Sequence, residues 1–308
     1  MNNLIYIWLK LQETMEDVKI HHVFKKADSF IPVITPDRLP LSHMETGSVL
    51  NNLIYRLNQG AYKSISDVGT LSTTGYKNNK LDAIFETSNY AEYAVTAFPF
   101  NPAKNPLGDV LRRMRVSSVG CCLITKNNEI VYQRRPDSLI ANGTLDSGAS
   151  GIVIITYRDI LQGSPATPVL DFDASAKAKT QKELGVDPSN LDFVKTAFWS
   201  SDGPTNILNN DPKVGGVFLG SYSAMLGYKV ETGLTFAQIQ THRKQSNPTL
   251  EINCVKMDDL PQFLLENAEG ERGFCADGLL ALLSALPRRE FNDTLRGLNE
   301  RYENKIST

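Results

Sequence analysis

Long apolar runs are missing from the sequence. No stretch of the 308 residues approaches the roughly 20 apolar residues that a membrane-spanning helix needs. The short apolar run from Leu4 to Leu9 has neither a basic leader nor a small-residue cleavage pattern, which is not typical of a signal peptide. We therefore expect a cytoplasmic protein without a membrane partner.

Net charge and cysteine are also scarce. The formal net charge of −2 gives no long-range field suited to nucleic acid, so we expect no nucleic-acid partner. The four cysteines form no CxxC pair and no paired histidine spacing, which predicts neither a zinc site nor a disulfide framework. Cys121 and Cys122 lie in a strand-like run, where free cysteine is usually a small buried apolar residue. This pattern favours a reducing compartment.

Three common catalytic motifs are absent as well. The chain contains no GxxxxGK[ST] phosphate-binding loop and no GxGxxG dinucleotide motif. The run from Gly148 to Gly151 does not have the GxSxG pattern of a nucleophile elbow, and apolar residues follow it. The histidines are scattered, and the adjacent His21 and His22 would point to opposite faces of a strand. These absences argue against a serine hydrolase and a histidine metal site.

The central part of the chain predicts strands, a glycine-rich turn and a helix. Val116 to Ile124 and Glu129 to Gln133 are β-rich runs separated by Lys126-Asn127-Asn128, which predicts a hairpin. The glycine-rich run 143–151 follows. The stretch Asp173 to Val186, DASAKAKTQKELGV, predicts a helix with Asp173 as its N-cap.

Further elements are expected on both sides of this segment. A strand-like stretch begins at Val18, and residues 69–79 are turn-rich. One helix is predicted at Ser48 to Asn58, one after Pro261, and others at the C-terminal end. Further strands are predicted at 152–157, 191–199, 217–222 and 250–256.

The strand, glycine-rich turn and helix resemble the Nudix superfamily. Glu183, Gly185 and Val186 match the end of the family signature. Lys179 and Lys182 stand where the family has two further glutamates. The acidic signature of the family is therefore only partly present in this chain.

The resemblance implies an α+β fold, a Nudix-like α/β/α sandwich with a mixed β-sheet. We expect residues 107–270 to form this domain, after an N-terminal α+β unit at 1–106 and before a C-terminal helical extension at 271–308. The breakers between Asn101 and Pro106 mark the first boundary. Residues 152–172 are interpreted as an insertion that can form a lid or close off the pocket.

The resemblance also implies a site for a phosphorylated small molecule. Glu183 is the expected catalytic residue and metal ligand for Mg²⁺ or Mn²⁺, and Asp173 and Glu251 are candidate replacements for the missing ligands. The expected substrate-binding residues are Arg134, Arg135, Asp146, Gly148, Gly151, Lys179 and Lys182. Because 179, 182 and 183 share one helix face, the two ammonium groups would repel a cation and attract a phosphate.

Two functions remain open. The chain is either a hydrolase of a phosphoanhydride in a nucleoside-diphosphate-type ligand, or a non-catalytic Nudix-homology protein that binds such a ligand or a protein partner. A purely structural alternative is that Lys179 and Glu183 form a solvated i, i+4 pair, Arg134 and Arg135 end a surface strand, and Asp173 only caps its helix. An apolar stripe at Phe291, Leu295, Leu298 and Tyr302 indicates packing on the domain or on a second copy, as in a homodimer.

Overall fold

The computed structural model describes residues 8–11, 16–38, 66–89, 114–135, 144–158, 166–201, 223–268 and 274–306, with short pieces between 42 and 54 and at 93. Within these ranges the chain is a mixed α+β protein built on one large mixed sheet. The predicted boundary at 101–106, the strand at 217–222 and most of the helix at 48–58 lie outside the described residues.

The strands are β1 (Trp8–Leu11), β2 (Glu16–Val23), β3 (Ser29–Arg38), β4 (Asp67–Lys77), β5 (Lys80–Asn89), β6 (Val116–Ile124), β7 (Glu129–Arg134), β8 (Leu145–Ser147), β9 (Ala149–Ile152), β10 (Ile155–Arg158), β11 (Thr167–Leu170), β12 (Asp192–Ser201), β13 (Ser223–Glu231) and β14 (Glu251–Lys256). The helices are α1 (Phe172–Leu184), α2 (Phe236–Ser246), α3 (Leu260–Asn267), α4 (Ala276–Leu283) and α5 (Arg288–Ile306). Among the described helices, none is long and apolar enough to cross a membrane.

Strand β6 lies at the centre of the large sheet. The strand order of the sheet is β1-β2-β12-β13-β6-β4-β5-β3, and β13 pairs with β6 in parallel along the whole length of β6. On the other edge of β6, β4 pairs with its first residue, β9 with its middle and β7 with its end, while β8 and β14 flank β7. Strands on both sides of residue 106 therefore belong to one sheet.

Two hydrophobic clusters lie on opposite faces of this strand. Cys122 and Ile124 belong to a cluster that includes buried residues of α3, α4 and α5. Val119, Cys121 and Leu123 belong to a second cluster that includes buried residues of α1 and α2. Because successive side chains of a strand point to opposite faces, β6 is covered by helices on both sides. All nine of its residues are buried.

Helix α1 packs through a narrow stripe. Its buried residues Phe172, Ala176, Thr180 and Leu184 follow each other at steps of four, which places them on one face. The helix ends at Gly185, whose φ of 68° is a left-handed conformation that glycine adopts without strain. A Cβ there would lie 2.6 Å from the carbonyl oxygen of His242, so α2 also approaches closely at this end.

The predicted N-cap of this helix was wrong by two residues. Asp171, in an extended conformation, accepts a hydrogen bond from the backbone N–H of Ala174 at 2.9 Å and is the cap. Asp173 is already inside the first turn, where its carboxylate accepts from the hydroxyl of Tyr228 at 2.6 Å and pairs with Lys195. Helical residues begin at Phe172 because its ring joins the core beneath the helix.

The turn-rich prediction for residues 69–79 was also wrong, because most of this range is strand β4. Its threonines are β-branched and suit a pleated, half-buried surface better than a turn. The turn itself is confined to Asn78 and Asn79, whose φ values of 53° and 58° are positive. Two residues with positive φ connect β4 to β5 in the manner of a tight hairpin.

Residues 152–172 form more than the single predicted strand. Strand β9 ends at Ile152, and β10 then pairs with β11 in a separate two-stranded sheet. This hairpin leads directly into α1. At the C-terminal end, Phe291, Leu295 and Leu298 pack into the core of this chain, as expected for the apolar stripe. A homodimer stays a prediction.

Candidate ligand-binding site

Glu183 lies in the last turn of α1, against β9. The predicted glycine-rich turn over 145–151 was wrong in this respect, because all of it except Gly148 belongs to strands β8 and β9. Oε2 of Glu183 accepts a hydrogen bond from the backbone N–H of Ser150 at 3.1 Å and a second from Nε2 of Gln133 at 3.3 Å. Gln133 lies on β7, on the face that α1 covers, and its side chain is buried. Strands β7 and β9 and helix α1 therefore meet at one carboxylate.

Lys179 lies one helical turn before Glu183 and extends along Gly151. A Cβ added at Gly151 would lie 2.5 Å from Nζ of Lys179 and 2.6 Å from its Cε. The φ of Gly151 is +153°, a conformation that other residues rarely adopt. The backbone conformation therefore favours glycine at this position, and a side chain there would also displace the end of the Lys179 side chain.

Ser150 of β9 also contacts Asp146 of β8. This carboxylate is buried, and its Oδ2 accepts from Nη2 of Arg135 at 2.6 Å, Nε of Arg135 at 2.8 Å and the hydroxyl of Ser150 at 2.8 Å. Its Oδ1 accepts from the backbone N–H of Ser147 at 2.7 Å. Ser150 therefore joins the two acids, since its hydroxyl donates to Asp146 and its N–H donates to Glu183.

The protonation equilibria at the site follow from this burial. Burial raises the pKa of Glu183 to about 7, although the Ser150 amide, the charge of Lys179 and Gln133 oppose the shift. Burial also lowers the pKa of Lys179, and the Glu183 carboxylate opposes this change. Glu183 therefore exchanges its proton near neutral pH, beside a positive group.

A third acid, Asp277, lies in the first turn of α4, which packs against β8. A Cβ on the neighbouring Gly278 would lie 2.6 Å from Cα of Asp146, so the helix touches the backbone of β8. Asp277 accepts hydrogen bonds from the hydroxyl of Ser223 at 2.8 Å and from Nε1 of Trp199 at 3.1 Å. Burial raises its pKa, against the effect of these two donors.

Sequence reasoning missed Gln133, Ser150 and Asp277. Ser150 stands inside the glycine-rich run, and strand alternation from the apolar Val131 places Gln133 on the same face as that residue. These two had a signal in the sequence. Asp277 had none, because only the tertiary approach of α4 brings it to β8.

Some of the predicted site residues lie elsewhere. Arg134 of β7 stands opposite Glu251 of β14 in the strand register. Each of them is next to a residue that faces α1, so the side chains of Arg134 and Glu251 point to the opposite face of the sheet. Glu251 is exposed and accepts from Nδ2 of Asn253 at 3.3 Å. Asp173 is ten residues from Glu183 on the same helix, a separation of about 15 Å along the axis. Neither Asp173 nor Glu251 can share an ion with Glu183.

The other predicted residues lie at or near the site. Gly148 lies between β8 and β9, where a Cβ would be 3.1 Å from the carbonyl oxygen of Val131. Lys182 is exposed on α1 next to Glu183, and its charge contributes to the lowered pKa of Lys179. Arg135 is committed to Asp146. Lys179, Lys182 and Glu183 thus remain as the group at the helix surface.

The donor set around Glu183 does not fit a divalent cation. Mg²⁺ requires an octahedral set of oxygen ligands, whereas Glu183 offers one carboxylate beside an ammonium group. Asp146, the nearest other acid of the network, is engaged by the guanidinium of Arg135. Across the described ranges, no group of three or more His, Cys, Asp or Glu side chains is placed to hold a metal ion.

Comparisons with known proteins give little. No protein-family model matches the chain, and no curated protein matches it significantly. It is similar in structure to DR0079 from Deinococcus radiodurans, a crystal structure at 1.9 Å resolution. The likeness has a TM-score of 0.36 and 14% identity, and covers 71% of this chain and 96% of the other. A likeness of this strength carries no argument about fold or function.

Proposed function

We propose that the chain is a Nudix-like protein that binds a phosphorylated small molecule of the nucleoside-diphosphate type, without the cations that the family usually requires. The ligand lies against the end of α1, where Lys179 and Lys182 neutralise its phosphates. Glu183 is the one signature glutamate that remains in the matched stretch. The expected Mg²⁺ or Mn²⁺ has no role in this binding mode.

The architecture supports this proposal. Helices cover both faces of β6, and α1 packs on one of these faces. A helix layer on each side of a mixed sheet is the arrangement that the resemblance implies, and Glu183 lies on one of these helices.

The position of Lys179 is the observation that carries the proposal. Lys179 is partly buried, and its Nζ and Cε lie against Gly151 of β9, so its charge is placed beside this strand. A positioned ammonium with a lowered pKa binds a phosphate oxygen at a small further entropic cost.

Hydrolysis is the second candidate, and one observation favours it. A carboxyl whose pKa lies at about 7 suits general acid–base catalysis at neutral pH. In that case Glu183 would accept a proton from the attacking water. The two candidates share the same ligand and differ only in whether a bond is broken.

A panel of dinucleotides and nucleotide sugars separates the two. The protein is incubated with each compound, with EDTA or with Mg²⁺ or Mn²⁺, and release of phosphate or nucleoside monophosphate is measured beside the thermal unfolding midpoint. We expect a raised midpoint in EDTA and no release. Release that is lost in Glu183→Gln would establish the hydrolase instead. A panel that neither protects the protein nor is cleaved would overturn both.

A further inference from the structure

A separate cleft lies at the opposite end of α1 from Glu183. It has a volume of about 380 Å³ and lies between β3, the β10–β11 hairpin, β12 and the first turn of the helix. This is near the lower end of the range of about 300–1,000 Å³ that small-molecule pockets occupy. None of the residues that line it belongs to the site around Glu183.

One wall of the cleft is apolar. Phe30, Pro32 and Ile34 alternate along β3 and so share one face, and each of them is only partly buried. The ring of Phe30 meets the buried ring of Phe172 edge to face, with 5.1 Å between the ring centroids. This wall continues the core of the protein outward and suits a flat apolar group.

The rim carries two ion pairs of different quality. Lys195 contacts Oδ1 of Asp173 at 2.7 Å and Oδ2 at 2.9 Å, and the hydroxyl of Tyr228 donates to the same carboxylate. Both oxygens of the Asp173 carboxylate are therefore already bound by donors of the protein. Arg158 reaches Asp171 only at 3.5 Å, and the exposed fractions of the two side chains are 66% and 37%.

Arg158 and Asp171 can therefore each form a further hydrogen bond with a ligand. Arg158 has five N–H donors, and its one contact among the described residues is the long contact to Asp171. Oδ1 of Asp171 caps the helix, while Oδ2 accepts only from Arg158. With Lys195 and Asp173 included, the rim has two cations and two carboxylates, so it offers no net attraction to a simple anion or cation.

We propose that this cleft binds a small zwitterion with an aromatic body, of the class of an aromatic α-amino acid. Its carboxylate binds the guanidinium of Arg158, its ammonium binds Oδ2 of Asp171, and its ring lies on Phe30 and Ile34. A ligand with both charges replaces one long contact with two short charge-assisted hydrogen bonds. A ligand with one charge leaves either Arg158 or Asp171 unsatisfied.

Calorimetric titration tests the proposal with three probes. L-phenylalanine carries both charges, 3-phenylpropionate lacks the ammonium and 2-phenylethylamine lacks the carboxylate. Each is titrated into the full-length wild type, Arg158→Met and Asp171→Asn. Asparagine keeps the helix cap and removes only the charge. Arg296→Met, on the distant α5, is the matched control, and thermal unfolding shows that each variant is folded.

We expect saturable binding of L-phenylalanine that weakens at least about tenfold in each cleft variant and is unchanged in the control, the loss expected for a charge-assisted hydrogen bond. Both single-charge probes should bind the wild type more weakly. Absence of saturable binding at millimolar L-phenylalanine would overturn the proposal. So would equal affinity of the wild type and both cleft variants, or tighter binding of 3-phenylpropionate.

Discussion

The backbone N–H of Ser150 donates to Oε2 of Glu183 at 3.1 Å, across the contact between β9 and α1. The hydroxyl of the same serine donates to Asp146 at 2.8 Å, and Arg135 closes the network behind it. The position of Glu183 is therefore set by a buried ion pair on another strand. This connection holds the Glu183 carboxylate in place through contacts within the protein.

The first prediction concerns the pH dependence of stability. The pKa of Glu183 is raised from 4.5 to about 7 in the folded protein, so folding favours its protonated form. Its contribution to stability is fully present below pH 4.5 and is lost as the pH rises through 7. Glu183→Gln stays neutral at every pH and so removes this pH dependence. We expect the total change with pH to be on the order of 2 kcal/mol for a partly exposed carboxyl.

Urea unfolding of the wild type and Glu183→Gln, measured between pH 4 and pH 8, checks this prediction. The difference between the two free energies of unfolding isolates Glu183, because all other titrating groups are shared. The variant should gain stability relative to the wild type as the pH rises. Parallel curves over the whole range would show that Glu183 has an ordinary pKa.

The second prediction concerns the glycine beside Lys179. Gly151→Ala places a Cβ at 2.5 Å from Nζ of Lys179 and forces alanine into a φ of +153°. We expect a loss of about 1–3 kcal/mol in the free energy of unfolding from the backbone strain. The lysine must also move, so ligand affinity should fall together with stability.

Gly75→Ala is the matched control, because a Cβ at Gly75 meets nothing within 4 Å. Its effect on stability should stay within about 0.5 kcal/mol. The double variant Gly151→Ala with Lys179→Ala removes the contact but keeps the backbone strain, so its stability should recover only in part. If both single glycine variants were equally stable, Gly151 would have no special role.

The third prediction concerns the buried pair of Arg135 and Asp146. Arg135→Met leaves the carboxylate of Asp146 buried without its guanidinium partner, and breaking a buried pair in this way costs about 3–5 kcal/mol. Arg289→Met breaks the pair with Asp293, in which Arg289 is 94% exposed, and should cost less than about 1 kcal/mol. Denaturant unfolding of both variants gives the comparison, and similar small losses would contradict a structural role for Arg135.

The strands nearest the site were predictable from the sequence. β6 and β7 were predicted within one residue of their bounds, because the Lys126-Asn127-Asn128 turn and the apolar runs give a local signal. The helix was also predicted, over Asp173 to Val186, and it runs from Phe172 to Leu184. Its N-cap was not, since Asp171 and Asp173 are both suitable capping residues and only the burial of Phe172 decides between them.

Contacts between distant segments could not be predicted in this way. β4 was missed because its two glycines and the two asparagines that follow it favour a turn locally, while its pairing with β5 is decided by the sheet. Arg134 and Glu251 were expected at the site, but the alternation of β7 places them on its other face once Gln133 contacts Glu183. The Arg135–Asp146 ion pair could likewise not be predicted, because the resemblance implies that both residues bind the substrate.

Metal-free binding at Lys179 is tested most directly by calorimetric titration of UDP-glucose in EDTA. The wild type is compared with Lys179→Met and with Lys177→Met, a control on the same helix whose ammonium lies 5.9 Å from the ring centroid of Phe193. We predict binding to the wild type and to the control, and at least about tenfold weaker binding to Lys179→Met. Binding that appears only with Mg²⁺, or equal affinity of all three proteins, would contradict the account.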